Sequence, residues 1–288
     1  MVRTMDPAIP VTLSTASVYP RRAAYAFESA AELGYDGVEV MVWSDPASQD
    51  PAVLARLAAH HGVRVRSLHA PTLLVSQGVW GRDPATKLRR TVDMALELGA
   101  GTVVVHPPFR WQYRYARGFQ DQVRELQAES GVTLAVENMY PWKARGRSDR
   151  HYVAYLPGWD ATEHDYDCVT LDLSHAAVAR QSGLELVAAF GDRLRHLHLA
   201  DGTGAPRDEH LVPGRGSMDC ADVLVELARR GWRGDVVVEI STRRDRSAHE
   251  RHGDLEAALT FARSYLAPVP TAYRPPAAEH HHLPADAW

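Results

Sequence analysis

Short apolar runs alternate along the chain with longer segments in which apolar residues recur at helical spacing. Eight runs rich in β-branched residues predict strands: VTLST (11–15), GVEVMVW (37–43), VRVRSLHA (63–70), TVVVHPP (102–108), TLAVENM (133–139), CVTLDLSH (168–175), LRHLHLAD (194–201) and DVVVEIST (235–242). Amphipathic segments between them predict helices, among them 21–34, 51–61, 84–99, 117–130, 182–190 and 220–231. Strands separated by helices in this order predict parallel β-α-β units.

Repetition of these units predicts an α/β fold, a single (β/α)8 TIM barrel, because eight of them fit within about 250 residues. An open, doubly wound sheet is the alternative fold. It is disfavoured because no G-x-G-x-x-G sequence follows the first predicted strand. We therefore expect one barrel domain over residues 1–267.

Two segments interrupt the repeating pattern. Residues 140–167 form a long polar and aromatic stretch after the fifth predicted strand, with a basic run at 143–150. A loop of this length in place of a helix is typical of a lid or a binding loop. Residues 268–288 hold five prolines and a histidine triplet at 280–282, and they predict an extended or disordered tail.

The composition is typical of a globular protein, since 45% of the 288 residues are hydrophobic and 24% are charged. The formal net charge of −4 argues against a strongly basic nucleic-acid footprint over the whole chain. Two cysteines cannot build a disulfide framework, and no apolar run reaches the length of a membrane span. We therefore expect a cytoplasmic protein without a membrane partner.

Candidate chemistry gathers at the carboxyl ends of the predicted strands, where the active site of a (β/α)8 barrel lies. Nearly every strand from the third to the eighth is closed or followed by a residue that can bind a divalent metal ion: His69, His106, Glu137, Asp172, His175, His198, Asp208, His210 and Glu239. So many carboxylates and imidazoles at one mouth would be costly to desolvate without cations between them. Mixed donors of this kind suit Zn²⁺ or Mn²⁺, and also Co²⁺ or Fe²⁺, better than Ca²⁺. The pattern predicts one to three divalent ions per chain.

Seven short motifs give the chain a resemblance to a known family. They are HAP (69–71), VVHPP (104–108), VEN (136–138), LDLSH (171–175), HLAD (198–201), DEH (208–210) and VEIS (238–241). In this order and spacing the set resembles the xylose isomerase-like barrel superfamily, which holds sugar isomerases, sugar 3-epimerases, inosose dehydratases and endonuclease IV-type abasic-site nucleases. The stretch DEHLVPGRG (208–216) also resembles uncharacterised actinobacterial barrels labelled sugar phosphate isomerase/epimerase.

The resemblance to the isomerases and epimerases implies a metal-dependent enzyme that acts on a small sugar or sugar phosphate. The metal site of those enzymes matches Glu137, Asp172, His198 and Glu239 here. By that resemblance Glu137 and Glu239 are catalytic, since they would relay a proton beside a carbonyl that the metal polarises. His175 is the third catalytic candidate, as a contact to the substrate.

The resemblance to the abasic-site nucleases implies an alternative, a trinuclear zinc phosphoester hydrolase. There His69 and His106 with Glu137 match a second metal site, and His175, Asp208 and His210 match a third. DNA remains a possible partner in this alternative, although the acidic chain has no evident DNA-reading stripe. Leu73, Leu74 and Gln77 occupy the place where the nucleases carry residues that wedge into DNA. A non-catalytic metal- or ligand-binding barrel is a third alternative.

Four further residues are predicted to bind substrate at the mouth. Arg215 lies in a PGRG turn from which it could reach a phosphate or a sugar hydroxyl, and Trp43, Trp111 and Trp142 follow predicted strands as candidate walls for a sugar ring. His196 is expected one layer deeper than His198, as a hydrogen-bonded residue beneath the site or in the core. Glu39 is expected either as an acid beneath the site or as the buried partner of an arginine. The resembling families also suggest a homo-oligomer as a possible assembly.

Overall fold

Eight parallel strands close into a barrel in the computed structural model, which describes residues 9–72, 76, 78–142, 154–245 and 247–267. The strands are β1 (Val11–Ser14), β2 (Val38–Met41), β3 (Val65–His69), β4 (Thr102–Val105), β5 (Thr133–Glu137), β6 (Val169–Asp172), β7 (Leu194–Leu199) and β8 (Asp235–Val238). They follow one another around the barrel in chain order, and β8 pairs with β1 to close it. The predicted (β/α)8 barrel is confirmed.

Eight α-helices surround the strands within the described residues. They are α1 (Ala23–Leu33), α2 (Pro51–His61), α3 (Pro84–Leu98), α4 (Tyr113–Ser130), α5 (Leu173–Ala179), α6 (Gly183–Phe190), α7 (Cys220–Arg229) and α8 (Ala248–Leu266). Local sequence explains several boundaries. Asp50 and Asp83 each accept a backbone N–H at the start of a helix whose first residue is proline, which needs no such partner.

Helices α4 and α8 extend the sequence prediction. Helix α4 begins at Tyr113 rather than at 117. Helix α8 was not among the predicted helices, although a capping box between Ser247 and Glu250 marks its start. Within the part of the chain that the structure describes, no helix has both the length and the apolar character needed to cross a bilayer.

The connection between β5 and β6 differs from the other six connections between consecutive strands, each of which contains an α-helix. Among its described residues, 138–142 and 154–168, there is a short 3-10 helix at Ala161–Glu163 and no α-helix. The basic run at 143–150 lies outside the described residues, as do Leu73, Leu74, Gln77 and the predicted tail at 268–288. The predictions made for those residues stay predictions.

Alternation along the strands divides the buried residues into two layers. On β7, Leu197 and Leu199 join the apolar layer between strands and helices, whereas His196 and His198 face the other side of the strand and are fully buried. The same alternation places Glu39 of β2 inside the barrel, next to these imidazoles. The upper barrel interior is therefore polar, and it opens at the carboxyl ends of the strands.

Candidate metal centre

All nine predicted metal ligands lie in the described residues and meet at the mouth of the barrel. Strand ends or the residues just after them supply His69, His106, Glu137, Asp172, His198 and Glu239, the first turn of α5 supplies His175, and the loop between β7 and α7 supplies Asp208 and His210. The loop residues Asp208 and His210 keep about a fifth of their side chains exposed, and the other seven side chains are buried. Segments far apart in the chain thus form one polar cluster.

Glu137 lies at the centre of this cluster. Its Oε2 atom is 3.1 Å from Nε2 of His69 and 3.0 Å from Nε2 of His106. Its Oε1 atom is 3.1 Å from Nδ1 of His175 and 3.4 Å from Nδ1 of His198. Each oxygen therefore faces two imidazoles, although Nδ1 of His175 also lies 2.9 Å from the carbonyl oxygen of Asn138.

Besides a group of Glu39, His196 and His198 that lies beneath the site, the nine predicted ligands form three overlapping groups, each compact enough for one metal ion, with all donor atoms of a group within 4.8 Å of one another. The groups are His69, His106 and Glu137; Glu137, Asp172 and His198; and Asp172, His175 and His210. Successive groups share a carboxylate. Glu239 extends the second group, since its Oε2 is 2.8 Å from Nδ1 of His198, and Asp208 extends the third, 2.8 Å from Nε2 of His210.

Backbone carbonyls select which nitrogen of His69 and of His210 faces the cluster. Nδ1 of His69 lies 3.1 Å from the carbonyl oxygen of Ala70, and Nδ1 of His210 lies 2.7 Å from that of Glu239. A proton on Nδ1 that is donated to a carbonyl leaves the lone pair on Nε2, which points at the carboxylates. These imidazoles are therefore held in the tautomer that a metal ligand requires.

His198 has the opposite orientation, and Glu39 accounts for it. Oε1 of Glu39 is 3.0 Å from Nε2 of His198, while Oε2 is 2.8 Å from Nε2 of His196 and accepts a hydrogen bond of 2.8 Å from Ser67. His198 thus donates its Nε2 proton to the Glu39 carboxylate. Its Nδ1 lone pair faces Glu137, Asp172 and Glu239. Glu39 and His196 lie beneath the cluster, and the printed contacts of Glu39 are to two imidazoles and a serine rather than to an arginine.

The electrostatics of the cluster fit divalent cations. Burial acts to raise the pKa of Glu137 and of Asp208, yet the imidazoles around them hold both pKa values well below the usual range. Burial acts to lower the pKa of His175 and His198, but the facing carboxylates raise both well above the usual range, and that of His210 to about 10. The carboxylates thus draw positive charge onto the imidazoles, a charge that bound cations would supply instead.

Two buried atoms of the middle group make no well-directed hydrogen bond among the described residues, although one of them faces the Glu239 carboxylate at 2.8 Å. They are Oδ2 of Asp172 and Nδ1 of His198, which lie 3.5 Å apart. A buried polar atom with no such bond is costly, and a shared cation would remove that cost. The fit is best for ions that accept both imidazole and carboxylate donors, such as Zn²⁺ or Mn²⁺.

Asp201 organises the loop that carries Asp208 and His210. Its Oδ1 accepts hydrogen bonds from the N–H groups of Gly202 and Met218, and its Oδ2 accepts from those of Gly214 and Gly216, all between 2.8 and 3.0 Å. A Cβ atom at Gly216 would overlap the Asp201 carboxylate, so glycine is required there. The sequence showed Asp201 in the HLAD motif but gave it no role, and the glycines that follow it were the available signal.

Substitution Asp201→Asn is expected to loosen this loop. The amide group would replace one oxygen that accepts two N–H bonds, which should lower the free energy of unfolding by about 1–3 kcal/mol. The third donor group should then bind its ion more weakly, while the group around His69 keeps its own. Urea unfolding and metal analysis of the full chain test this, and a variant with wild-type stability and metal content would contradict it.

The predicted substrate-binding residues lie in different surroundings. Trp43 borders a cavity of about 380 Å³, together with Tyr19, Glu239, His210 and others. Trp111 is 54% exposed and stacks on Phe109, with ring centroids 4.4 Å apart. Trp142 is 44% exposed at the rim of a separate, smaller depression.

Arg215 is held away from that cavity by an ion pair. Its Nη2 atom lies 2.6 Å from Oδ1 of Asp254 on α8. Neither Arg215 nor Trp111 nor Trp142 contributes to the lining of the cavity beside Glu239. Their predicted roles in substrate binding stay predictions.

Comparison with known proteins places this barrel among enzymes and uncharacterised relatives. The chain is 51% identical to an uncharacterized protein of Mycobacterium leprae over 278 residues, which is 91% of this chain and 99% of that protein. It is 25% identical to the fructoselysine 3-epimerase of Shigella flexneri over 240 residues, 76% of this chain and 85% of that enzyme. It is 27% identical to the probable endonuclease 4 of Mycobacterium ulcerans over 218 residues, 67% of this chain and 83% of that protein.

The fold also matches solved structures. A D-tagatose 3-epimerase-like protein superposes with a TM-score of 0.61 at 22% identity, covering 90% of this chain and 100% of that one. The family model described as xylose isomerase-like TIM barrel matches residues 27–265. These two findings and the relatives agree with the motifs quoted from the sequence. The chain therefore belongs to the xylose isomerase-like TIM barrel family.

Proposed function

We propose that this protein is a divalent-metal-dependent phosphoester hydrolase with a three-ion centre. The observation that carries the proposal is the position of Glu137, both of whose oxygens face imidazoles from two directions. A glutamate that relays protons at a substrate carbon needs a carboxylate oxygen directed at that carbon. Glu137 has neither oxygen free for this, and a bridging role explains its contacts.

The remaining donors support the same conclusion. A one-ion site of Glu137, Asp172, His198 and Glu239 would leave His69 and His106 buried beside a carboxylate for no chemical purpose. In a three-ion centre each of these imidazoles is a ligand. All nine predicted donor residues then have a role as metal ligands.

Charge balance also favours a phosphorylated substrate in the three-ion case. Three divalent ions exceed the charge of the four carboxylates at the mouth, Glu137, Asp172, Asp208 and Glu239, by two units. A single ion would leave the same carboxylates in excess and would repel a phosphate group. The net positive charge of a three-ion centre therefore suits an anionic substrate, and the net negative charge of a one-ion centre does not.

Ions bound in the three groups would lower the pKa of water and offset the charge that develops on a phosphoryl group. The protein's own residues hold this centre in place. The side chain of Asp172 accepts the backbone N–H of His175 at 2.7 Å, and its own N–H donates to Asn138 at 2.6 Å. Ser174 donates to Asp208 at 2.6 Å and accepts the N–H of His210 at 3.0 Å, which fixes the third group.

A sugar epimerase is the second candidate function. It is favoured by the similarity to fructoselysine 3-epimerase and by the position of Glu239, which borders a cavity large enough for one small sugar. In that case Glu239 would exchange a proton with the substrate, and a single ion held by Glu137, Asp172, His198 and Glu239 would suffice.

Metal content and turnover of a His210→Ala variant separate the two functions. The full chain would be studied with His280, His281 and His282 replaced by alanine, so that the tail binds no metal. We expect two to three zinc ions per chain, the loss of one in His210→Ala, and a fall of more than about 100-fold in phosphoester hydrolysis. Substrates would be bis(p-nitrophenyl) phosphate, sugar phosphates and abasic-site DNA.

The matched control is His60→Ala, which removes an exposed histidine at the end of α2 and should change neither measurement. One ion per chain would contradict the hydrolase. So would a His210→Ala variant that still exchanges a ketose proton for deuterium at the wild-type rate, and that result would favour the epimerase.

A further inference from the structure

The amino ends of the strands enclose a second cavity, at the opposite end of the barrel from the metal ligands. Its volume is about 410 Å³, and its lining includes Arg66, Thr102, Thr133, Cys168, Arg195 and Asp235. Each of these lies at the first or second residue of a strand, or directly before one. The active site of a (β/α)8 barrel lies at the other end, so the proposed reaction makes no use of this cavity.

Two threonine hydroxyls in this cavity have unused hydrogen-bonding capacity. Thr102 and Thr133 are the first residues of β4 and β5, and they lie side by side across the two strands. Thr102 is only 8% exposed, yet neither hydroxyl makes a hydrogen bond to any described residue. A buried hydroxyl without a partner is costly, so the acceptor atoms of a ligand would gain bonds here.

The charges that line the cavity favour an anion. Arg66 donates from Nε and Nη2 to Oδ1 of Asp235, at 3.0 and 2.7 Å, so these two residues offset each other. Arg195 adds a further positive charge, and among the described residues no carboxylate lies within ion-pair distance of it. Arg233 also borders the cavity and already has a partner. Arg195 alone therefore gives the cavity a positive charge.

Cys168 forms a further wall, just before β6, where it is partly exposed. Burial raises the pKa of the Cys168 thiol, whereas the guanidinium of Arg195 and the side-chain amide of Gln127, which face its sulfur, act to lower that pKa. Asp167 acts to raise it, but its carboxylate is held by Arg124, with Oδ1 3.0 Å from Nε. Groups that stabilise negative charge on the sulfur would stabilise an oxyanion beside it for the same reason.

From this arrangement we propose that the amino end of the barrel binds a phosphate group, either as inorganic phosphate or as the end of a small phosphate ester. The donors are the guanidinium of Arg195, the amide of Gln127 and the hydroxyls of Thr102 and Thr133, which come from four different elements. Donors that converge from several directions suit a tetrahedral anion better than a planar carboxylate. This site is separate from the metal centre and does not depend on the proposed hydrolysis.

Protection of Cys168 from alkylation tests this site on the zinc-loaded full chain. Cys168 is partly exposed, whereas Cys220 is 1% exposed and is an internal reference that should not react. The rate of reaction with iodoacetamide, a neutral reagent, would be followed by mass spectrometry with and without inorganic phosphate. We expect saturating phosphate to slow the alkylation of Cys168 by at least about fivefold, because the bound anion covers the thiol. Sodium chloride at equal ionic strength corrects for screening.

Three variants assign the protection to this cavity. Arg195→Ala should remove it, and Arg195→Lys should retain part of it because the charge is kept. Thr102→Val removes a hydroxyl with little change of shape, and it should raise the phosphate concentration for half protection by about three- to tenfold. Arg56→Ala, which changes an exposed arginine on α2, is the matched control and should behave as the wild type does. His210→Ala should also be protected, since phosphate at the ions lies at the other end of the barrel.

The results decide both the site and the source of the phosphate group. Equal protection by propylphosphonate, which a hydrolase cannot cleave, would support a site for small phosphate esters, and protection by inorganic phosphate alone would support a site for the inorganic ion. Equal slowing by phosphate and by sodium chloride would overturn the site. So would full protection in Arg195→Ala, or a loss of protection in His210→Ala as large as that in Arg195→Ala.

Discussion

A Glu137→Gln variant is expected to lose about two metal ions per chain and more than about 100-fold in turnover, because one carboxylate serves two donor groups. The amide would present one oxygen to one pair of imidazoles and an N–H₂ group to the other pair. An N–H₂ group cannot bind a cation, so at least one group loses a ligand outright. The remaining oxygen is neutral and is a weaker ligand than the carboxylate it replaces.

Elemental analysis of the purified variant and a phosphoester assay measure both effects. Glu163→Gln is the matched control, since Glu163 is an exposed glutamate in the connection between β5 and β6. It should retain full metal content and activity. A Glu137→Gln protein that still holds every ion would show that the carboxylate does not bridge.

Removal of Glu39 is expected to give the largest loss of stability. Glu39→Ala would leave His196 and His198 without their shared acceptor in a fully buried layer, at a cost of about 3–5 kcal/mol in the free energy of unfolding. It would also free His198 to change tautomer, which should weaken metal binding by about 10- to 100-fold. Urea unfolding of metal-stripped protein measures the stability loss separately from the metal effect.

Ser67→Ala is the graded comparison for this variant. It removes one donor to Glu39 and leaves both imidazole contacts, so it should cost about 1 kcal/mol and leave metal affinity near that of the wild type. Equal effects of Ser67→Ala and Glu39→Ala would mean that Glu39 acts only through general packing. A Glu39→Ala variant with normal metal affinity would remove its role in orienting His198.

The fold was predictable because its determinants are local. β-Branched runs, helical spacing and proline or glycine at the helix ends all lie within a few residues of the elements that they specify. Helix α8 escaped prediction although its capping box is equally local. The convergence of polar residues from separate strands was predicted from their positions at the carboxyl ends of the strands, where the active site of a (β/α)8 barrel lies.

The arrangement within the site was not predictable in the same way. Whether Glu137 relays protons or bridges ions depends on where its two oxygens point, and that is set by side chains up to 68 residues away in the sequence. The partner of Arg215 is Asp254, on a helix that the pattern did not predict. Asp201 bonds to backbone groups as far as 17 residues along the chain, which leaves no periodic signature.

The spread of the donors along the chain has a consequence for folding kinetics. The three donor groups draw on segments from residue 69 to residue 210, and no single β-α-β unit contains a complete group. An ion can therefore bind strongly only after the strands have closed. We expect the transition state for folding to lack the site, so metal binding should slow the unfolding of the native barrel without accelerating its formation. The supply of metal would then set how long a folded molecule lasts and would have little effect on how quickly one forms.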